Sequence, residues 1–185
     1  MAVKPKVIVV GSGIIGASVA LACQDLGAEV SVLEQGSLGG IASSNSFGWI
    51  NASFAENQAY FDLRKAALES FRALDQRLVL VDCIRWQGTL WWEDAGRNFV
   101  EQFRSLTSRG YPASIVNEDQ IASLEPYLRQ LPNQAILTAT EGAAQAQKVA
   151  LAILAEVERK GGSVRSGVSL KRIEQAIGRV CSVKT

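Results

Sequence analysis

Apolar positions follow two rhythms in the first thirty-four residues. "KVIVVG" is a short β-branched run of the kind that forms a buried strand. "IIGASVALACQDLG" repeats its apolar residues at helical spacing and stops at Gly27, and "AEVSVLE" is a second strand. Strand, glycine turn, helix and strand in that order predict a βαβ unit. From Asn57 to Leu78 the apolar spacing is again helical, with charges on the opposite face, which predicts a long surface-packed helix. "VDCIRWQGTLWWED" alternates and predicts a hairpin with Gly88 at its turn or at a bulge, where Trp86, Trp91 and Trp92 serve as core and strand-face residues. Beyond it, "AGRNFVEQFRSLTSRG" predicts a helix closed by Gly110, and "NEDQIASLEPYL" a short one limited by Pro126. "AILTATEG" reads as a strand, "AQAQKVALAILAEVERKGG" as a helix stopped by glycines, and "SVRSGVSLKRIEQAIGRVCSVKT" as two strands and a hairpin.

The first glycine turn carries chemistry. Gly11 permits a tight turn out of the strand, Gly13 lets the backbone approach a pyrophosphate, and Gly16 lets the helix lie close to the sheet. The helix N-terminus then offers unpaired N–H groups and positive dipole potential to phosphates. Glu34, ending the second strand, is placed to accept hydrogen bonds from ribose hydroxyls, and its charge disfavours a 2′-phosphate. The unit therefore predicts dinucleotide binding. The next segment, "QGSLGGIASSNSFGWINASF", is rich in Gly, Ser and Asn and suited to wrapping a long anionic ligand, which fits a flavin dinucleotide better than a nicotinamide one. A plain NAD-dependent dehydrogenase remains as a rival.

Composition narrows the picture further. At 185 residues with net charge +1 and dispersed lysines and arginines, the chain has no basic stripe for nucleic acid. Cys23, Cys83 and Cys181 are too few and too widely spaced for a disulfide framework or a zinc site, so a reducing, cytoplasmic setting and no metal are expected. Lys4 and Lys6 before an apolar run, with "ALAC" ahead, imitate a signal peptide, but the glycines interrupt it. No apolar run is long enough to span a membrane. With no histidine, a histidine-based triad is excluded within this chain.

In these motifs the sequence resembles the amino-terminal part of the D-amino acid oxidase and glycine oxidase family of FAD-dependent oxidoreductases. The resemblance rests on the fingerprint with Glu34, on Gly39-Gly40 followed by "SSNSFGW", on "QGTLWW" near Gly88, on "SRGYPASIVNEDQIASLEPYL" with Glu125-Pro126, and on "EGAAQAQKVALAILAEVERKGGSVRSGVSLKRIE". It implies an α/β fold: a Rossmann-like FAD-binding βαβ unit carrying an inserted α+β segment of the substrate domain, with a sheet incomplete at the C-terminus. The divisions expected are 1–56 for the βαβ unit and flavin-wrapping loop, 57–140 for the insertion and 141–185 for the return to the FAD domain.

The resemblance also implies contacts. Ile14 and Ile15 would meet the pyrophosphate through the backbone, together with Gly11, Gly13 and Gly16. Glu34 and Gln35 would hold the adenosine ribose, and Ala42, Ser43 and Ser44 would continue along the phosphates. Phe47, Gly48 and Trp49 would lie near the isoalloxazine, and Leu170, in the strand "GVSLKRI", near adenine. Ile41 stands where a basic residue often follows the glycine pair, and Gln145 to Lys148 replace the usual Asp-Pro stretch. The activity implied is oxidation of an amine or amino acid by hydride transfer to flavin. The arginine that clamps the substrate carboxylate belongs to the family's carboxyl-terminal half; Arg64, Arg85 and Arg97 are weak substitutes, and no catalytic residue is assigned. The chain is thus expected to be a fragment, one piece of a split enzyme needing a complementary half, or a truncated product. Its isolated form should expose a strand edge and apolar surface. A rival is a non-catalytic dinucleotide-binding or assembly subunit.

Overall fold

The computed structural model describes residues 4–93 and 97–185. In chain order the elements are β1 (Lys6–Val10), α1 (Ile14–Asp25), β2 (Glu29–Leu33), α2 (Ile41–Ser44), β3 (Trp49–Ile50) and α3 (Gln58–Leu78). There follow β4 (Ile84–Arg85), β5 (Thr89–Trp91), α4 (Arg97–Ser108), β6 (Ser114–Asn117), α5 (Glu118–Leu124), β7 (Gln134–Thr138) and β8 (Gly142–Ala144). The chain closes with α6 (Ala146–Arg159), β9 (Ser163–Arg165), β10 (Arg172–Ala176) and β11 (Arg179–Lys184). They form two compact units, the first from Met1–Gly48, Leu74–Ile84 and Ala144–Thr185, the second from Trp49–Ala73 and Arg85–Ala143.

The first unit is built on a parallel sheet in the order β1-β2-β9, with Val9 opposite Val32 and Val32 opposite Val164. Parallel neighbours require a crossover, and α1 supplies it between β1 and β2. Helix α1 buries Ala17, Ala20 and Leu21, and α6 buries Val149, Ala150, Ile153, Leu154 and Val157; the two helices pack together. The small alanines let the axes approach, and the side chain of Gln24 donates to the Val157 carbonyl at 3.1 Å. Gly27 ends α1 with φ of +90°, a conformation that a side chain disfavours. At the same end Asp25 pairs with Arg77 at 2.6 Å and with Lys160, and Arg77 also reaches Glu156 at 3.6 Å. The Arg77 guanidinium, then the Lys160 ammonium, lower the Asp25 carboxyl to a pKa of about 2.

Strand β1 departs from the fully buried strand expected. Ile8 and Val10 are 44% and 55% exposed while Val9 between them is 8% exposed, because alternate residues point to opposite faces and only the Val9 face is covered; among the described residues β1 also has a strand, β2, on one side only. Strands β10 and β11 form an antiparallel hairpin with a bulge at Glu174/Gln175 and, among the described residues, no third strand.

The second unit centres on the antiparallel sheet β5-β7-β6, with Leu90 opposite Leu137 and Ile115 opposite Ile136. Here the structure corrects the expected hairpin: β4 and β5 enter different sheets, and β5 pairs instead with β7, far along the chain. Gly88, at φ +81°, turns the chain between them. One core cluster gathers Ala52, Ala55, Phe61, Phe99, Leu106, Tyr111 and Ile136; another joins Val116, Ile121 and Ala135, with Trp92 packed against it. Trp91 stacks on Phe99 with centroids 6.1 Å apart. Helix α5 begins in a reciprocal cap between Asn117 and Gln120.

Candidate functional site

The cleft lies where β1 turns into α1. Gly11 has φ of +100° and its N–H donates to the Leu33 carbonyl at 2.8 Å, which ties the turn to the end of β2. A Cβ on Gly16 would lie 2.0 Å from the Gly11 carbonyl oxygen, so the helix sits against the turn in a way only glycine allows. The glycine pair closes the other side. A Cβ on Gly40 would come within 2.7 Å of the Gly13 Cα, so the two backbones are in direct contact.

Polar side chains hold this arrangement. Glu34 Oε2 accepts from the backbone N–H and from the hydroxyl of Ser12, both at 2.9 Å, and its Oε1 accepts from the Gly36 N–H at 2.9 Å. These donors, Gly36 first and then Ser12, hold the Glu34 carboxyl below its usual pKa, so it is ionised at neutral pH. Ser12 is fully buried, and its Oγ also accepts from the Gly39 N–H at 3.1 Å. Ser43 Oγ accepts from the Ile14 N–H at 2.9 Å, satisfying one of the open donors at the start of α1.

The resulting cleft has a volume of about 540 Å³ and is lined by Val9, Val10, Gly11, Gly13, Ile14, Ile15, Gly16, Val19, Ala42, Ser43, Ser46 and Ala146. None of these carries a charge. Of the residues expected at the site, Gly11, Gly13, Ile14, Ile15, Gly16, Ala42 and Ser43 line the cleft, and Glu34 joins them through Ser12. Gln35, Ser44 and Phe47 are exposed and are not among its lining residues. Gly48, at φ +68°, packs so closely that a Cβ would lie 1.8 Å from the Ala144 carbonyl oxygen. Trp49 belongs to the second unit, where its indole N–H is shared between Thr89 Oγ1 at 3.0 Å and Glu141 Oε2 at 3.2 Å. Leu170 falls in the loop between β9 and β10 rather than in a strand, while the Val168 N–H donates to the Glu34 carbonyl at 2.8 Å.

Of the three candidate arginines, Arg64 is engaged elsewhere. Arg64 donates to the Asn51 carbonyl at 3.2 Å, to the Ser53 carbonyl at 2.9 Å and to the Asn51 side chain. Arg85 is exposed, and the side chain of Arg97 lies outside the described residues. Ser12, Ser46 and Glu141 were not among the expected site residues. Ser12 had a legible signal, being a hydroxyl between two glycines of the turn; Glu141 had only its place in a Glu-Gly pair.

Fold and cleft together define a βαβ unit with a glycine turn between its first strand and helix, and the comparisons make the class specific. Residues 6–185 match the family described as FAD dependent oxidoreductase (DAO), and the chain belongs to that family. No curated protein sequence matches it significantly. Among solved structures, L-amino acid deaminase from Proteus vulgaris superposes with a TM-score of 0.87 at 16% identity, covering 99% of this chain and 44% of its own. Glycine oxidase from Bacillus cereus gives 0.83 at 20% identity, covering 98% and 51%. L-Proline dehydrogenase from P. horikoshii gives 0.81 at 19% identity, covering 100% and 50%. The chain therefore spans about half the length of these structures. Among the described residues no helix is long and apolar enough to cross a membrane.

Proposed function

We propose that this chain is the FAD-binding portion of an oxidoreductase acting on amines or amino acids, and that it works together with further polypeptide supplying the substrate clamp. The carrying observation is a cleft lined by Gly11, Gly13 and Gly16 without side-chain charge, with the Gly40 backbone against Gly13 and the ionised Glu34 bonded to Ser12 of the same turn. That cleft suits a dinucleotide: it offers close backbone approach at Gly13 and an acid at the tip of β2. In this reading Gly11, Gly13, Ile14, Ile15, Gly16, Ala42, Ser43 and Ser44 follow the pyrophosphate. Glu34 and Gln35 hold the ribose, Phe47, Gly48 and Trp49 face the isoalloxazine, and the loop holding Leu170 lies toward adenine. The segments 1–56, 57–140 and 141–185 keep their proposed roles as FAD domain, insertion and return.

When bound, the flavin supplies the redox chemistry, taking a hydride from the carbon that bears nitrogen. The chain's own part is to fix the diphosphate and ribose and to keep the adenosine end anchored. The names of the structural neighbours, an amino acid deaminase, glycine oxidase and proline dehydrogenase, support an amino-acid substrate. A second reading, a dinucleotide-binding subunit without chemistry, is favoured by one observation. Arg64, a candidate clamp, is already committed to backbone carbonyls.

The test is the visible spectrum of the purified chain, alone and co-expressed with a carboxyl-terminal half taken from a family member. Flavin absorbance in the pair, with amino-acid-dependent bleaching, is the expected result. Flavin absorbance without bleaching by any amine or amino acid would favour the non-catalytic subunit, and absence of flavin from both preparations would defeat the proposal.

A further inference from the structure

We infer that Glu141 is a positioning residue that holds the Trp49 indole and the main chain of Ala52 and Ser53, and so fixes the Trp49 end of the segment proposed to face the isoalloxazine. The inference rests on the FAD-binding reading.

Glu141 is fully buried. Its Oε1 accepts from the backbone N–H of Ala52 at 3.1 Å and of Ser53 at 3.0 Å, from the Tyr111 hydroxyl at 3.0 Å, and from the Ser53 hydroxyl. Its Oε2 accepts from the Trp49 indole N–H at 3.2 Å. Among the described residues no lysine or arginine forms an ion pair with it. An ionised carboxylate in such a place is costly unless donors replace water, and here five dipolar donors do so. An apolar side chain of similar volume would fill the space without that cost. What the carboxylate adds is geometry: it collects residues from β3, from the loop after it and from Tyr111 on one side chain.

The surroundings keep Glu141 in place. The Gly88 N–H donates to its carbonyl at 3.0 Å, and a Cβ on the following Gly142 would lie 2.5 Å from the Arg85 carbonyl oxygen. Burial, and after it the charge of Glu141, raise the Tyr111 phenol to a pKa of about 12, which keeps it a donor at any physiological pH.

The two oxygens divide the work, and that division supplies the test. Glu141→Gln keeps one acceptor for Ala52, Ser53 and Tyr111 but turns an NH₂ toward the indole N–H, setting donor against donor. In ¹H–¹⁵N spectra of the full chain, with Trp49→Phe assigning the resonance, E141Q should move the Trp49 indole signal upfield and leave the other three in place. FAD affinity, measured by titration on whichever preparation takes up flavin, should fall roughly ten-fold, a loss matching one charge-assisted hydrogen bond. W49F should show a similar loss, and E141Q should add little to it; if E141Q does not fold, W49F alone carries the affinity test. An unmoved indole signal, or unchanged FAD affinity in W49F, overturns the inference. A wild-type chain without flavin in any preparation defeats the functional reading instead, and the indole response then decides by itself whether Glu141 holds Trp49.

Discussion

An inner strand of one unit and an edge strand of the other meet opposite fates. In the second unit, β7 has a partner on each side, and Ile136 is 2% exposed. Even its buried acid is supplied with donors from every direction. In the first, β1 is paired on one side only, and Ile8 and Val10 are exposed along it, with Ile15 and Val19 exposed on the neighbouring helix. The lesson is that apolar sequence reports a capacity for burial, while burial itself depends on what is present to cover it. An edge of this composition is also prone to unwanted pairing.

The widest test of that contrast puts the same charge on both strands. Ile136→Lys should destabilise the second unit by more than about 4 kcal/mol, since the ammonium would be buried without a partner. Val10→Lys should change stability by no more than about 0.5 kcal/mol and reduce self-association. Urea titrations with light scattering would read both, and equal destabilisation by the two would break the comparison.

A smaller effect is expected from Gly16→Val. The new Cβ would begin 2.0 Å from the Gly11 carbonyl oxygen, so α1 must shift, at a cost on the order of 3 kcal/mol. Thermal unfolding followed by circular dichroism measures this, and a wild-type melting temperature would show that the turn is looser than described.

The smallest effect belongs to the ion-pair cluster around Asp25. Its carboxyl is lowered in the folded state from the ordinary 3.8 to about 2, so its stabilisation is present above about pH 4 and is lost as pH falls toward 2. The pair is partly exposed, so solvent screening limits the gain to under about 1 kcal/mol. Asp25→Asn should remove that part of the acid sensitivity between pH 4 and 2, and an unchanged acid profile would count against the cluster.

Much of the first unit was legible because its signals are local. Gly11, Gly13 and Gly16 announce a turn, the apolar spacing of α1 announces a helix, and Glu34 closes the pattern within a few turns of chain. Ser43 at the cleft was legible only through a family resemblance, since its bond to Ile14 joins segments that composition does not connect. The failures are non-local. The alternation around Gly88 resembled a hairpin because nothing nearby reveals that Leu90 pairs with Leu137. Glu141 was missed for the same reason: its donors come from residues 49–53 and from Tyr111, and no spacing rule joins them. Nor can a run such as "KVIVVG" disclose that one flank of its strand is bare.

The lining residues of the glycine cleft offer no side-chain charge, so any diphosphate recognised there meets peptide amides, which every residue type carries. Trimming an apolar lining position such as Ile15 to alanine would register little, whereas enlarging Gly16 would register at once. Such a surface tolerates drift in its letters while keeping its shape.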